Sequence, residues 1–144
     1  MQKCYEFKDS LLESIHQDAS RVSVNLRAVR SETERSGAEL PATLYRQEIR
    51  LVLDGAEMTV DSLNLPGWLM EGTLTADTLD ADCADCTDEN TVPVSLRSAR
   101  GVELVLSGLH ESSGDFVTIR VRANSLTLEP LGEPQPLQHT RASI

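Results

Sequence analysis

The sequence predicts an all-β domain, an antiparallel β-sandwich or barrel of about eight to ten short strands. Three observations predict it. Apolar and polar residues alternate with a period of two along most of the chain. Gly, Pro, Asn and Asp turn signals separate the alternating runs. No stretch carries the wider spacing of a convincing amphipathic helix. Alternation does not choose between sandwich and barrel, and no internal repeat suggests a solenoid.

Tyr5 to His16 alternates Leu11, Glu13 and Ile15 with Leu12, Ser14 and His16. Leu11, Leu12, Ile15 and Ala19 would also line a short helix capped by Asp9, but strand neighbours favour a strand. Val22, Val24, Leu26 and Ala28 face one way and Ser23, Asn25 and Arg27 the other. With Gln17-Asp18 as a turn, these two runs form an opening hairpin. Arg30 to Ala42 is polar, contains Gly37 and Pro41, and reads as a long loop of disordered composition, or a loop with one helical turn at Ser31 to Arg35.

Ile49, Leu51 and Leu53 alternate with Arg50 and Val52. Asp54-Gly55 then reads as a two-residue hairpin turn, with Met58 to Leu65 running back. Pro66-Gly67 is a further turn before a strand from Trp68 to Ala76, whose threonines suit a sheet. Residues 77–90 read as a second long polar connection. Thr91 to Arg97 is a strand demoted to a sheet edge by Pro93, and Ala99-Arg100-Gly101 reads as the turn that follows.

Gly101 to Gly132 is the most regular stretch and reads as three strands. Val102, Leu104 and Leu106 share a face, as do Val117, Ile119 and Val121, and Leu126 and Leu128 resume after a break at Ala123-Asn124. Such a sheet has one apolar face, which the rest of the chain must cover. Pro134 and Pro136 then remove backbone donors. The expected organisation is a single β domain over residues 1–132 and a C-terminal tail over 133–144.

A chain of 144 residues suggests one domain, and buries roughly 68–70% of its unfolded surface without needing a metal or disulfide. Only Tyr5, Phe7, Tyr45, Trp68 and Phe116 are aromatic, so the core must be Leu, Val and Ile. The formal charge of −10 repels phosphate backbones and anionic membranes, so neither nucleic acid nor a membrane is an expected partner. The same charge steers a cationic partner. No apolar run is long enough to span a membrane, and the first residues lack the apolar run of a signal peptide. Cys4, Cys83 and Cys86 form a sparse, odd set, which points to reduced thiols in the cytoplasm.

Residues 77–89, DTLDADCADCTDE, are the most unusual in composition. The candidate metal ligands are Asp77, Asp80, Asp82, Cys83, Asp85 and Cys86. Calcium needs oxygen ligands at alternating positions and a glycine at the sharp turn, and the spacing from Asp80 fails that test. Zinc needs four ligands, so Cys83 and Cys86 would need help from Cys4, His16, His110 or His139. The surrounding carboxylates disfavour thiolates, which also weakens a redox reading. The plain reading is a solvated acidic connection. His110 to Asp115 holds the residue types of a hydrolase triad, but in one loop rather than brought together from separate segments. No nucleophile elbow, phosphate cradle or basic-aromatic stripe occurs. Arg120 and Arg122 fit cross-strand pairing with Glu103 or Glu129.

The segments FKDSLLESI (Phe7 to Ile15) and GDFVTIRVRANSLTLEPLGEP (Gly114 to Pro134) resemble small bacterial single-domain families of unknown function. The resemblance implies a compact β domain opened by an Asp-Ser strand and closed by a Gly-Glu-Pro. It implies no catalytic residue, and some such proteins are held to act as immunity proteins beside toxins.

The leading functional expectation is a non-enzymatic, acidic, cytoplasmic β domain that binds a basic protein, with no cofactor. One alternative is a small-molecule-binding barrel or sandwich, weakened by the scarcity of aromatics. Another is a metal-binding module built on residues 77–89. A homodimer through exposed edges, the Pro93 strand or the opening hairpin, is also expected as an option.

Overall fold

Alternation becomes geometry along nine strands. The computed structural model describes residues 2–33, 42–60, 65–82 and 88–137. They form β1 (Gln2–Asp18), β2 (Arg21–Thr33), β3 (Thr43–Asp54), β4 (Glu57–Val60), β5 (Trp68–Asp80), β6 (Thr91–Pro93), β7 (Ser98–Leu109), β8 (Phe116–Pro130) and β9 (Gln135–Pro136). Among the described residues there is no helix.

The fold is a closed six-stranded antiparallel barrel with short strands outside it. Around the ring the order is β8, β7, β5, β1, β2, β3, and β3 returns to β8. Closure satisfies the hydrogen bonds that an open sheet leaves at its edges. β6 lies against the start of β1, Tyr5 opposite Val92, so the Pro93 segment is an outlying strand, as its missing amide requires. The opening hairpin forms, but Asp18 pairs with Arg21, which puts the turn at Ala19-Ser20. On one side that hairpin pairs with β3 through β2, and on the other β1 pairs with β6 at Cys4–Glu6 and with β5 at Leu11.

The inward positions are those that the alternation marks. Val22, Val24, Leu26, Ile49, Leu51, Leu53, Leu104, Leu106, Ile119 and Leu126 are fully buried and fill the interior. Truncating one of these leucines or isoleucines to alanine would cost about 2–5 kcal/mol.

Several sequence-based boundaries are corrected. Asp54-Gly55 is not a hairpin turn. Both β3 and β4 pair with β8, Asp54 opposite Ser125 and Glu57 opposite Arg122, so they are one strand with a kink between them. Ala123-Asn124 does not break β8, because Ala123 pairs with Val102 in unbroken register. Residues 30–33 and 77–80 belong to β2 and β5 rather than to loops, and Ala99-Arg100-Gly101 lies within β7. Residues 34–41 and 83–87 lie outside the described residues.

The kink explains the glycines. Gly55 and Gly101 both have φ near +62°, on the two strands that flank β8 at Asn124. A Cβ at Gly55 would overlap the Asn124 side chain, and one at Gly101 the Asp77 carboxylate. Positive φ without a side chain lets the backbone turn there while Asn124 and Asp77 pack close against it.

A buried polar network closes the other end. Tyr5 Oη donates to Gln47 Oε1 at 2.9 Å, and Arg30 Nη1 donates to the same oxygen at 3.0 Å. Gln47 Nε2 donates to Gly132 O at 2.8 Å. That bond, β9 on β3, and the Leu137 amide on Leu44 O lay residues 131–137 along the barrel. The tail is therefore part of the sheet as far as Leu137, and residues 138–144 lie outside the described set. Cys4 is disulfide-bonded, so the expectation of reduced thiols does not extend to it. Cys83 and Cys86 fall outside the described residues.

Candidate functional site

The barrel is irregular at the seam between β1 and β5. These strands share one registered pair, Leu11 opposite Trp68. Both strands bulge beside it. The register of β1 against β2 shifts between Glu6 and Leu11, and that of β5 against β7 between Leu69 and Glu71. Asp9 takes φ 69° within the β1 bulge, a conformation that Asp tolerates better than most residues. Buried Ser10 knits the bulge together. Its Oγ donates to Glu6 O at 2.6 Å and accepts the Val29 amide at 3.0 Å.

Two glycines make room for the β5 bulge. A Cβ at Gly72 would lie 2.7 Å from Phe7, so its absence lets Phe7 reach the core. A Cβ at Gly108 would overlap Trp68 O, so its absence lets β7 approach the β5 backbone. Bulges re-aim side chains. Here Leu69 goes inward at 2% exposure, while Trp68 and Met70 face solvent at 50% and 53%.

Register then builds a surface row. Phe116 stands opposite Leu109, Leu109 opposite Trp68, and Trp68 opposite Leu11. Directly opposed residues share a face. Four neighbouring strands, β8, β7, β5 and β1, thus present apolar side chains in line on the outside of the barrel. The line continues into charge at Arg27 on β2 and Glu48 on β3.

Arg46 covers one flank. It reaches across β2, places its guanidinium 5.7 Å from the Trp68 ring centroid, and donates to Asp9 O at 2.9 Å. Burial, and then the neighbouring Arg27, push its pKa below the usual arginine value, with Asp9 opposing. Arg46 remains a cation held against an indole face.

On the other flank lies a groove of about 370 Å³. Leu11, Leu65 and Pro66 contribute apolar surface, and Glu13 and Glu111 contribute carboxylates. Residues 65–67 strap across it. The Leu12 amide donates to Gly67 O, the Gly67 amide to Leu109 O, and His110 Nδ1 bonds to Leu65 O at 2.9 Å. Glu111 folds over Gly67, where a Cβ would meet its Cγ at 2.8 Å.

Of the sequence-derived metal candidates, Asp77, Asp80 and Asp82 are among the described residues, and none of these three lines the groove. Asp77 sits on β5 over Gly101. Asp80 accepts two hydrogen bonds from Arg97, and these hold its carboxyl below the usual range. The Asp82 amide donates to Ser95 Oγ. Cys83, Asp85 and Cys86 lie outside the described residues. Among the described residues, no three His, Cys, Asp or Glu side chains gather where they could hold a metal ion. In the His110–Asp115 loop, the imidazole is turned to Leu65 O, and Ser113 Oγ accepts the Asp115 amide. Arg120 and Arg122 pair with Glu103, as their shared face predicts.

Sequence reasoning missed the row because its members are far apart in the chain and meet only through register. The one available signal was the lone tryptophan beside Met70 at the start of a strand. Comparison with protein-family models, with curated proteins and with solved structures finds no match to this chain.

Proposed function

We propose that this domain is a non-enzymatic protein-interaction module that docks a basic partner on the outside of its barrel. The observation that carries the reading is the outward row of Phe116, Leu109, Trp68 and Leu11. Tryptophan at the centre of an interface is the residue type that most often dominates binding energy. Met70 beside it adds a soft, adaptable surface. The net charge of −10 favours a partner of opposite sign and a fast, salt-sensitive encounter. The interior supports the same reading, because leucine, isoleucine and valine side chains occupy it.

The test is affinity capture from the native lysate by wild type and by a Trp68→Ala/Phe116→Ser double variant. The expected result is a basic protein that wild type retains at low salt and releases at high salt, and that the variant does not retain. If no captured protein distinguishes the two baits, the reading fails.

A further inference from the structure

The groove beside Trp68 narrows the chemistry of the partner, an inference that rests on the interaction reading above. We infer that it receives a lysine or arginine side chain from a segment whose neighbouring apolar residue seats on Trp68 and Leu109.

The argument is one of complementary charge over complementary surface. Glu13, from β1, and Glu111, from the loop between β7 and β8, both line this groove. Glu111 makes no ion pair among the described residues, and Glu13 meets Arg27 only at 3.6 Å, beyond a hydrogen bond. Both carboxylates therefore keep acceptor capacity. Leu11, Leu65 and Pro66 supply the apolar surface along which the aliphatic stem of a long cationic side chain would lie. The His110 ring, the other titratable group in the groove, is fixed through Nδ1 to Leu65 O. Leu11 both lines the groove and stands opposite Trp68 in the apolar row, so the two adjoin. An anionic or purely apolar segment would leave two carboxylates unmatched or opposed, and like charge disfavours a second copy of this acidic chain.

The experiment is selection of a phage-displayed library of random linear peptides on the full chain. Enriched peptides are then titrated against wild type, Glu13→Gln/Glu111→Gln and Trp68→Ala. Thermal unfolding of each variant confirms that it is folded. The expected result is enrichment of Arg or Lys next to an apolar residue, with about tenfold weaker binding to the double Gln variant. Peptides without a basic residue, or peptides that bind the double Gln variant as well as wild type, overturn the inference. If those peptides still lose binding to Trp68→Ala, the interaction reading survives its failure. Peptides indifferent to Trp68→Ala overturn both. Sedimentation showing two copies joined through Trp68 also overturns the inference, since the occupant is then the chain itself.

Discussion

The Arg46 guanidinium lies 5.7 Å from the centroid of the Trp68 ring, bridging β3 to β5 across two intervening strands. The contact holds the only tryptophan of the chain in its outward pose. Arg46→Ala is expected to leave Trp68 more mobile and to cost about 0.5–1 kcal/mol. Because the fluorophore is single, acrylamide quenching of its emission checks this directly. Quenching unchanged from wild type would show that Arg46 does not shield the ring.

Gln47 is the hub of the buried network, holding Tyr5, Arg30 and the Gly132 carbonyl together. Gln47→Leu leaves the Tyr5 hydroxyl without its acceptor and Gly132 O without its donor. The expected loss is about 1–3 kcal/mol. Hydrogen exchange should quicken at the Leu131 and Leu137 amides, which tie the C-terminal strap to Glu48 and Leu44. Equal exchange rates in both proteins would mean that the strap is held without Gln47.

Burial raises the Tyr5 phenol above its ordinary pKa of 10.0, with Arg30 partly opposing. A raised folded-state value means that the native protein holds this proton more tightly than the unfolded chain. The stabilisation is complete below pH 10 and is lost as pH climbs through the folded value. Stability should fall along an alkaline limb that Tyr5→Phe flattens. Denaturant midpoints measured from pH 8 to pH 11 check it.

The glycines separate two causes of strain. Gly114 has φ +74° but open space around it, so Gly114→Ala should cost only the backbone term, about 1–2 kcal/mol. Gly101 combines φ +62° with a Cβ contact to Asp77, so Gly101→Ala should cost more. Gly108→Ala forces a Cβ against Trp68 O and should cost about 1–3 kcal/mol while shifting tryptophan emission. Melting curves that rank Gly114→Ala as the most damaging of the three would refute this ordering.

The Cys4 disulfide ties the first strand covalently to the rest of the chain. Reduction, or Cys4→Ser, is expected to cost about 2–5 kcal/mol. Thermal unfolding with and without dithiothreitol measures it, and coincident curves would show that the bond is not a support.

Side-chain alternation made the fold class readable in advance. Val22, Val24 and Leu26, or Val117, Ile119 and Val121, are buried as their period requires. Glu103 with Arg120 and Arg122 was legible because cross-strand charge follows from a shared face. The Asp54-Gly55 dipeptide misled because positive φ at glycine serves a kink as well as a turn, and local sequence does not distinguish them. The apolar row was illegible for a different reason. Leu11, Trp68, Leu109 and Phe116 each look like ordinary strand residues, and only the two bulges and the long-range register put them in line.

The ring is joined where Ile49–Asp54 of β3 meet Ser125–Pro130 of β8. A nascent chain that has emerged only through β7 holds an unjoined sheet with two raw borders. It can neither shut nor hide its leucines until the last long strand leaves the ribosome. Synthesis and folding are thereby forced into sequence, with slow non-local pairing as the final step. A stall or truncation before residue 125 should leave a sticky, protease-sensitive fragment rather than a smaller stable domain.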